Sequence, residues 1–156
     1  MADNLTDDQR RALAAWASFG APGPQASERW DPSPERRLTF KPFTTPGSGP
    51  WPMEFDAEQT RSLLWGHHAE AMEDKWNVYA DVDGDAASVH FHRSWTGLQV
   101  VQLDLELTAT GSRVVRAHWE LDGSDIKEPS EDFALGQFVA VFRHVLGNQK
   151  PPRTPQ

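Results

Sequence analysis

From Met72 to Leu121 the chain reads MEDKWNVYADVDGDAASVHFHRSWTGLQVVQLDLELTATGSRVVRAHWEL. Four runs in it are rich in β-branched and aromatic residues: Trp76–Val82, Ser88–Ser94, Leu98–Thr108 and Val114–Leu121. Such runs, bounded by turn residues, predict strands. Asp83-Gly84 is a strong two-residue hairpin signal. Trp95-Thr96-Gly97 and Ala109-Thr110-Gly111 each end in Thr-Gly, which predicts three-residue hairpins with glycine in the left-handed position. Neighbour-to-neighbour pairing then gives a four-stranded antiparallel meander.

Alternation assigns the faces, because successive strand side chains point oppositely. One face collects Trp76, Val78, Val89, Phe91, Val101, Leu103, Leu105, Leu107, Val115, Ala117, Trp119 and Leu121. This is the expected core face. Three-residue turns set Phe91 opposite Val101 and Val101 opposite Trp119. A two-residue turn at Thr96-Gly97 would set Phe91 against Gln102 and bury charge, so it is rejected.

The opposite face carries Lys75, Asn77, Tyr79, Ser88, His90, His92, Gln102, Asp104, Glu106, Arg116, His118 and Glu120. In the expected register Asn77, His90, Gln102 and His118 form one row, and Tyr79, Ser88, Asp104 and Arg116 the next. Two readings fit this face. Antiparallel sheets commonly wet one side, laced by cross-strand pairs such as Asp104 with Arg116. Alternatively, Tyr79, His90, His92, Gln102, Asp104, Arg116 and His118 line a shallow ligand surface.

Outward from the sheet, Asp56 to Glu73 reads as a helix that Asp56 and Gln59 cap reciprocally. Ser130 to Leu146 reads as another, with Phe133, Phe138, Val141, Phe142 and Val145 as its stripe. Thr6 to Ser18 reads as a first helix, stopped by Gly20 and Pro22. Between them, residues 21–52 hold eight of the twelve prolines. Proline removes donors and fixes φ, so no continuous helix or central strand fits there. Trp30, Phe40, Phe43 and Trp51 would be costly to leave in water, which predicts an irregular strap pinned by its aromatics. Leu38–Thr44 is expected as a short edge strand. Residues 149–156 read as a mobile polar tail. The whole is an α+β domain over residues 1–148.

With 156 residues, the chain is long enough for its own core. It has no cysteine, which excludes thiol nucleophiles, disulfides and cysteine-bound zinc. The net charge of -8 disfavours phosphate-backbone binding, so no nucleic acid is expected as partner. It favours a protein partner with a basic surface. Neither a signal peptide nor a membrane-spanning run is expected, and a cytoplasmic location fits the absence of cysteine.

Chemistry concentrates on the polar face. His90-x-His92 is a candidate metal pair with His118 as third ligand. However, Gln102 separates His90 from His118 by two strand spacings, about 9–10 Å, so no metal or other cofactor is expected. His67-His68 is weaker, since adjacent helix residues point apart. His90 or His118 beside Asp104 or Glu120 would suit acid–base chemistry. Ser94 with His92 lacks a third member for nucleophilic catalysis. Asp81-Val82-Asp83-Gly84-Asp85 is explained by a turn better than by a calcium loop. Arg93 falls on the apolar face at the sheet end. It is expected to bridge to Asp74 or Glu73, and the alternative is an arginine that holds a phosphate or carboxylate.

Met72-Glu73-Asp74-Lys75-Trp76 followed by Phe91-His92-Arg93-Ser94-Trp95-Thr96-Gly97 resembles a family of small uncharacterised bacterial and phage proteins. The resemblance covers about residues 57–146. It implies a helix exit at E-D-K-W, a short hairpin, an F-H-R-S-W-T-G strand and turn, and a C-terminal helix. It carries no activity and assigns no residue, beyond an association with proteins that process ADP-ribose. Asn77 stands where the family usually has an aromatic, and Asp122–Pro129 is poorer in Asn, Arg and Asp. Two functions follow as expectations. One is an accessory, immunity-type protein acting by protein contact. The other is a nucleotide- or ADP-ribose-directed binding or hydrolytic protein using the histidine-rich face.

Overall fold

A computed structural model describes residues 29–71, 73–123 and 129–154. The helix expected at Thr6–Ser18 lies outside them. Six strands form one sheet: β1 (Pro46–Gly49), β2 (Glu54–Asp56), β3 (Trp76–Asp83), β4 (Ala86–Arg93), β5 (Gln99–Thr108) and β6 (Gly111–Glu120). β3 to β6 make the expected antiparallel meander. β1 and β2 extend it, both antiparallel to β6, at its two ends. The edge strand expected at Leu38–Thr44 is displaced to β1. In its place stand a short helix, α1 (Pro34–Arg37), an exposed Leu38 and a lone parallel bridge from Lys41 to Leu98. Ser33 caps α1 and Pro34 sits at its first position, where a missing N–H costs nothing.

The registers hold in parity and shift in detail. Phe91 faces Val101 and Val101 faces Trp119, as expected. The first of these arises through a four-residue loop, Ser94–Gly97, compensated by a bulge that inserts Val100. The β5–β6 loop is only Ala109-Thr110, compensated by a second bulge between Asp104 and Leu105. That bulge makes Val115 the extra residue. Val115 is therefore 60% exposed, and Leu121, beyond the strand end, is 40% exposed. Neither belongs to the core face. The first hairpin turns at Gly84-Asp85, so Tyr79 rather than Asn77 faces His90. A shift of two keeps every side chain on its face and moves β3 by one row.

The second helix, α2 (Ala57–Trp65), opens on the expected capping box of Asp56 and Gln59 but ends eight residues before Glu73. Gly66 stops it with φ 75°, and a Cβ there would collide with the Val78 carbonyl oxygen. Only glycine suits both demands. The chain then bridges β3 through mutual His67 and Val78 hydrogen bonds of 2.9 Å. α3 (Glu131–Ala140) is capped by Ser130, and its last turn, Val141–Val145, widens to π geometry. Phe138 and Phe142 on it meet Phe55 and Phe91 at centroid distances of 5.3–6.3 Å. Leu63 of α2 joins the same cluster, as does the stacked pair Trp51 and Trp119. The segment read as a mobile tail is packed through Thr154. Glu54 and Arg153 exchange both backbone hydrogen bonds, and Gln59 donates to the Lys150 and Pro151 carbonyls. Among the described residues no helix is long and apolar enough to cross a membrane.

Candidate functional site

The polar face has three observed rows. Asn77, His92 and Gln99 form one; Tyr79, His90, Gln102 and His118 the second; Asp81, Ser88, Asp104 and Arg116 the third. The seven sequence candidates therefore share this face, and three of them, Tyr79, His90 and His92, stack as a ladder. Tyr79 stacks on His90 at 4.8 Å and lies nearly parallel to His92 at 5.7 Å.

The strap roofs this ladder. Phe40 stacks on both His92, at 4.6 Å, and Tyr79, at 5.1 Å. Trp30 stacks on His68 at 4.5 Å and presents its edge to Phe40 and Tyr79. The Arg37 guanidinium sits 4.8 Å over the Tyr79 ring while pairing with Asp31 at 2.8 Å and Asp81 at 3.0 Å. Tyr79 keeps only 7% exposure and His92 only 2%. Glu120, expected on the wet face, is instead a buried anchor for the strap. Its carboxylate accepts hydrogen bonds from the Thr44, Thr45, Leu121 and Asp122 amides at 2.7–3.1 Å.

The hydrogen bonds fix the state of each imidazole. His92 Nδ1 lies 2.9 Å from the Gly97 carbonyl oxygen and so must carry the proton. Its buried Nε2 has no hydrogen-bond partner. Burial drives the His92 pKa down to about 4, leaving the ring neutral. Gln99 Nε2 donates to His90 Nδ1, so His90 Nε2–H faces Asp81 Oδ2 at 3.3 Å. Burial lowers the His90 pKa as well, and Asp81 opposes the shift without reversing it.

Toward β6 the face is more open. His118 Nε2 and Asp104 Oδ2 are 2.8 Å apart, with side chains 26% and 34% exposed. Asp104 also accepts from Gln102 and Ser88. Burial pushes the Asp104 carboxyl up, but the hydrogen bonds from Gln102, His118 and Ser88 hold it below its ordinary value. Arg116, although opposite Asp104, donates to Ser48 Oγ at 2.8 Å and makes no ion pair with it. Among the described residues no group of three or more His, Asp or Glu side chains could hold a metal ion. The chemistry left to this face is the oriented His118–Asp104 pair, besides the His90–Asp81 pair.

The expected Asp74–Arg93 bridge does not form. Asp74 caps its own turn, accepting from the Glu70 and Ala71 amides, and its carbonyl accepts from Ser94 Oγ at 2.6 Å. Arg93 lies over the Trp76 ring at 5.0 Å instead. Beside it is a cavity of about 360 Å³ lined by Lys75, Arg93, Trp95, Thr96 and Leu98.

Sequence reasoning missed Gln99, Phe40, Arg37 and Asp81 as parts of the histidine ladder. Gln99 was hidden because the bulge at Val100 resets parity. Phe40 and Arg37 come from 39 or more residues away, and only their aromatic and cationic character was visible. In comparison with known proteins, the chain matches no family model, no curated protein and no solved structure.

Proposed function

We propose that the protein acts by binding, as a small accessory protein of immunity type that contacts a partner with a basic surface. The observation that carries this reading is the β3–β4 hairpin tip. Asp81 to Ala86 are six consecutive exposed residues, three of them aspartates, with Val82 43% exposed among them. Asp81 is paired with Arg37 and the neighbouring Glu106 with Arg113, so the charge of the ridge rests on Asp83 and Asp85. A negative, protruding ridge with an apolar centre suits electrostatic docking on a basic surface. The overall charge of -8 adds a long-range attraction of the same sign.

Catalysis has less support. Phe40, Trp30 and Arg37 occupy the space above Tyr79 and His92 that a substrate would need. The same packing weighs against a nucleotide- or ADP-ribose-directed site on that face. The test is affinity capture with the wild type and an Asp83→Lys/Asp85→Lys variant as parallel baits. The expected result is a stoichiometric basic partner held by the wild type, weakened by added salt and lost by the variant. Recovery of no stoichiometric partner, or equal recovery by both baits, would overturn the reading.

A further inference from the structure

The cavity at the far end of β4 from the acidic hairpin gathers two cations, a hydroxyl and an indole. Arg93 is half-buried, and its guanidinium carbon lies over Trp76, 5.0 Å from the ring centroid. Neither Arg93 nor its neighbour Lys75 has an ion pair among the described residues. Two unpaired cations beside one cavity stand out in a chain of net charge -8. Trp95 at the same cavity is 72% exposed, an unusual placement for an indole. Thr96 Oγ1 accepts from the Leu98 amide at 3.2 Å, which leaves the hydroxyl hydrogen to donate elsewhere.

The loop that carries these groups is held on three sides. Ser94 is bonded to the Asp74 and Lys75 carbonyls at 2.6 and 2.9 Å. The Gly97 carbonyl accepts from the Lys41 amide at 2.8 Å and from His92 Nδ1 at 2.9 Å. Gly97 itself has φ 75°, and a Cβ on it would collide with the Thr39 carbonyl oxygen. A fixed loop loses little conformational entropy on binding.

We propose that this cavity binds a nucleoside monophosphate. Its phosphate is held by Arg93 and Lys75, with Thr96 donating to a phosphate oxygen, and its base stacks on Trp95. Two cations match the double charge of a phosphate better than the single charge of a carboxylate. An exposed indole offers a stacking platform that any base can use. The volume, about 360 Å³, falls at the small end of ligand pockets and suits a ligand of this size. The site lies one strand length from the acidic hairpin, so neither proposal depends on the other.

The test is titration calorimetry with AMP, UMP and inorganic phosphate, alongside tryptophan fluorescence. The expected result is binding of both nucleotides in the micromolar range with quenching, and binding of inorganic phosphate at least about tenfold weaker. Lys75→Gln, on an exposed side chain, should weaken all three ligands about tenfold. Trp95→Ala should weaken the nucleotides and leave inorganic phosphate unchanged. Arg93→Gln should abolish binding, and Arg93→Lys serves where loss of the Trp76 contact unfolds Arg93→Gln. The proposal is overturned if neither nucleotide binds below millimolar concentration, or if Lys75→Gln binds as the wild type does. It is also overturned if inorganic phosphate binds as tightly as the nucleotides and Trp95→Ala changes nothing.

Discussion

His92 shows how one side chain is turned from a candidate ligand into a structural element. Its ring is closed between Phe40 and Tyr79, its Nδ1–H is committed to Gly97, and its Nε2 is buried without a partner. A proton on Nε2 would be a buried charge with nothing to receive it. The folded ring therefore titrates near 4, against an ordinary value of 6.5. Because the folded pKa is depressed, the unfolded chain takes up the proton first. The stability this contributes is complete above pH 6.5 and is lost as the pH falls toward about 4. It amounts to about 3 kcal/mol. Other groups titrate in the same window, so the difference between wild type and His92→Phe isolates this one. Urea unfolding should show the variant gaining on the wild type by about 3 kcal/mol between those two pH values. A difference that stays constant with pH would mean the ring is protonated in the folded protein.

At the scale of elements, the strap is the piece whose order has to be explained, since it has few backbone pairs of its own. Its aromatics lie over the histidine ladder, and its following residues are tied to β6 through Glu120. A fully buried carboxylate that accepts four amide hydrogens satisfies donors the prolines cannot pair internally. Glu120→Ala leaves those amides without their acceptor and should cost about 2–3 kcal/mol. Limited proteolysis should then cut between Trp30 and Pro46 well before the sheet is attacked. Protection of that segment equal to the wild type would show that stacking alone holds the strap. The truncated α2 is a second element-scale result. Its sequence continues in helix-compatible residues to Glu73, but the contact of Gly66 with Val78 redirects the chain into a bridge on β3.

For the whole molecule, stability rests on one aromatic-rich core between the sheet and α3. Trp119 is 6% exposed and stacks on Trp51 at 5.4 Å and 7°. Gly47 and Gly49 of β1 lie directly over its indole, where a Cβ on Gly47 would sit 2.6 Å from Trp119 Nε1. Trp119 thus joins β1, β6 and the end of the strap in one contact. Trp119→Ala should cost about 3–5 kcal/mol and lower the urea midpoint with little change in its slope. A loss below about 1 kcal/mol would show that the indole is not part of the cooperative core.

The sequence alone determined the meander, the faces of most strand residues, both main helix starts and the aromatic pinning of the strap. These follow from local rules: period-two alternation, turn glycines, caps and the cost of exposed aromatics. It did not determine where β1 and β2 pair, where α2 stops, or that two bulges would bury Gln99 and expose Val115. Each depends on a contact between residues distant in the chain, which local pattern does not encode. The candidate sites divide the same way. Tyr79, His90, His92, Gln102, Asp104, Arg116 and His118 were legible as one face because parity survives a shift of two. That the strap fills half of that face was decided by packing. So was the position of Arg93, because a guanidinium finds its partner in space: the Trp76 ring opposite it on β3, and not the carboxylate of Asp74.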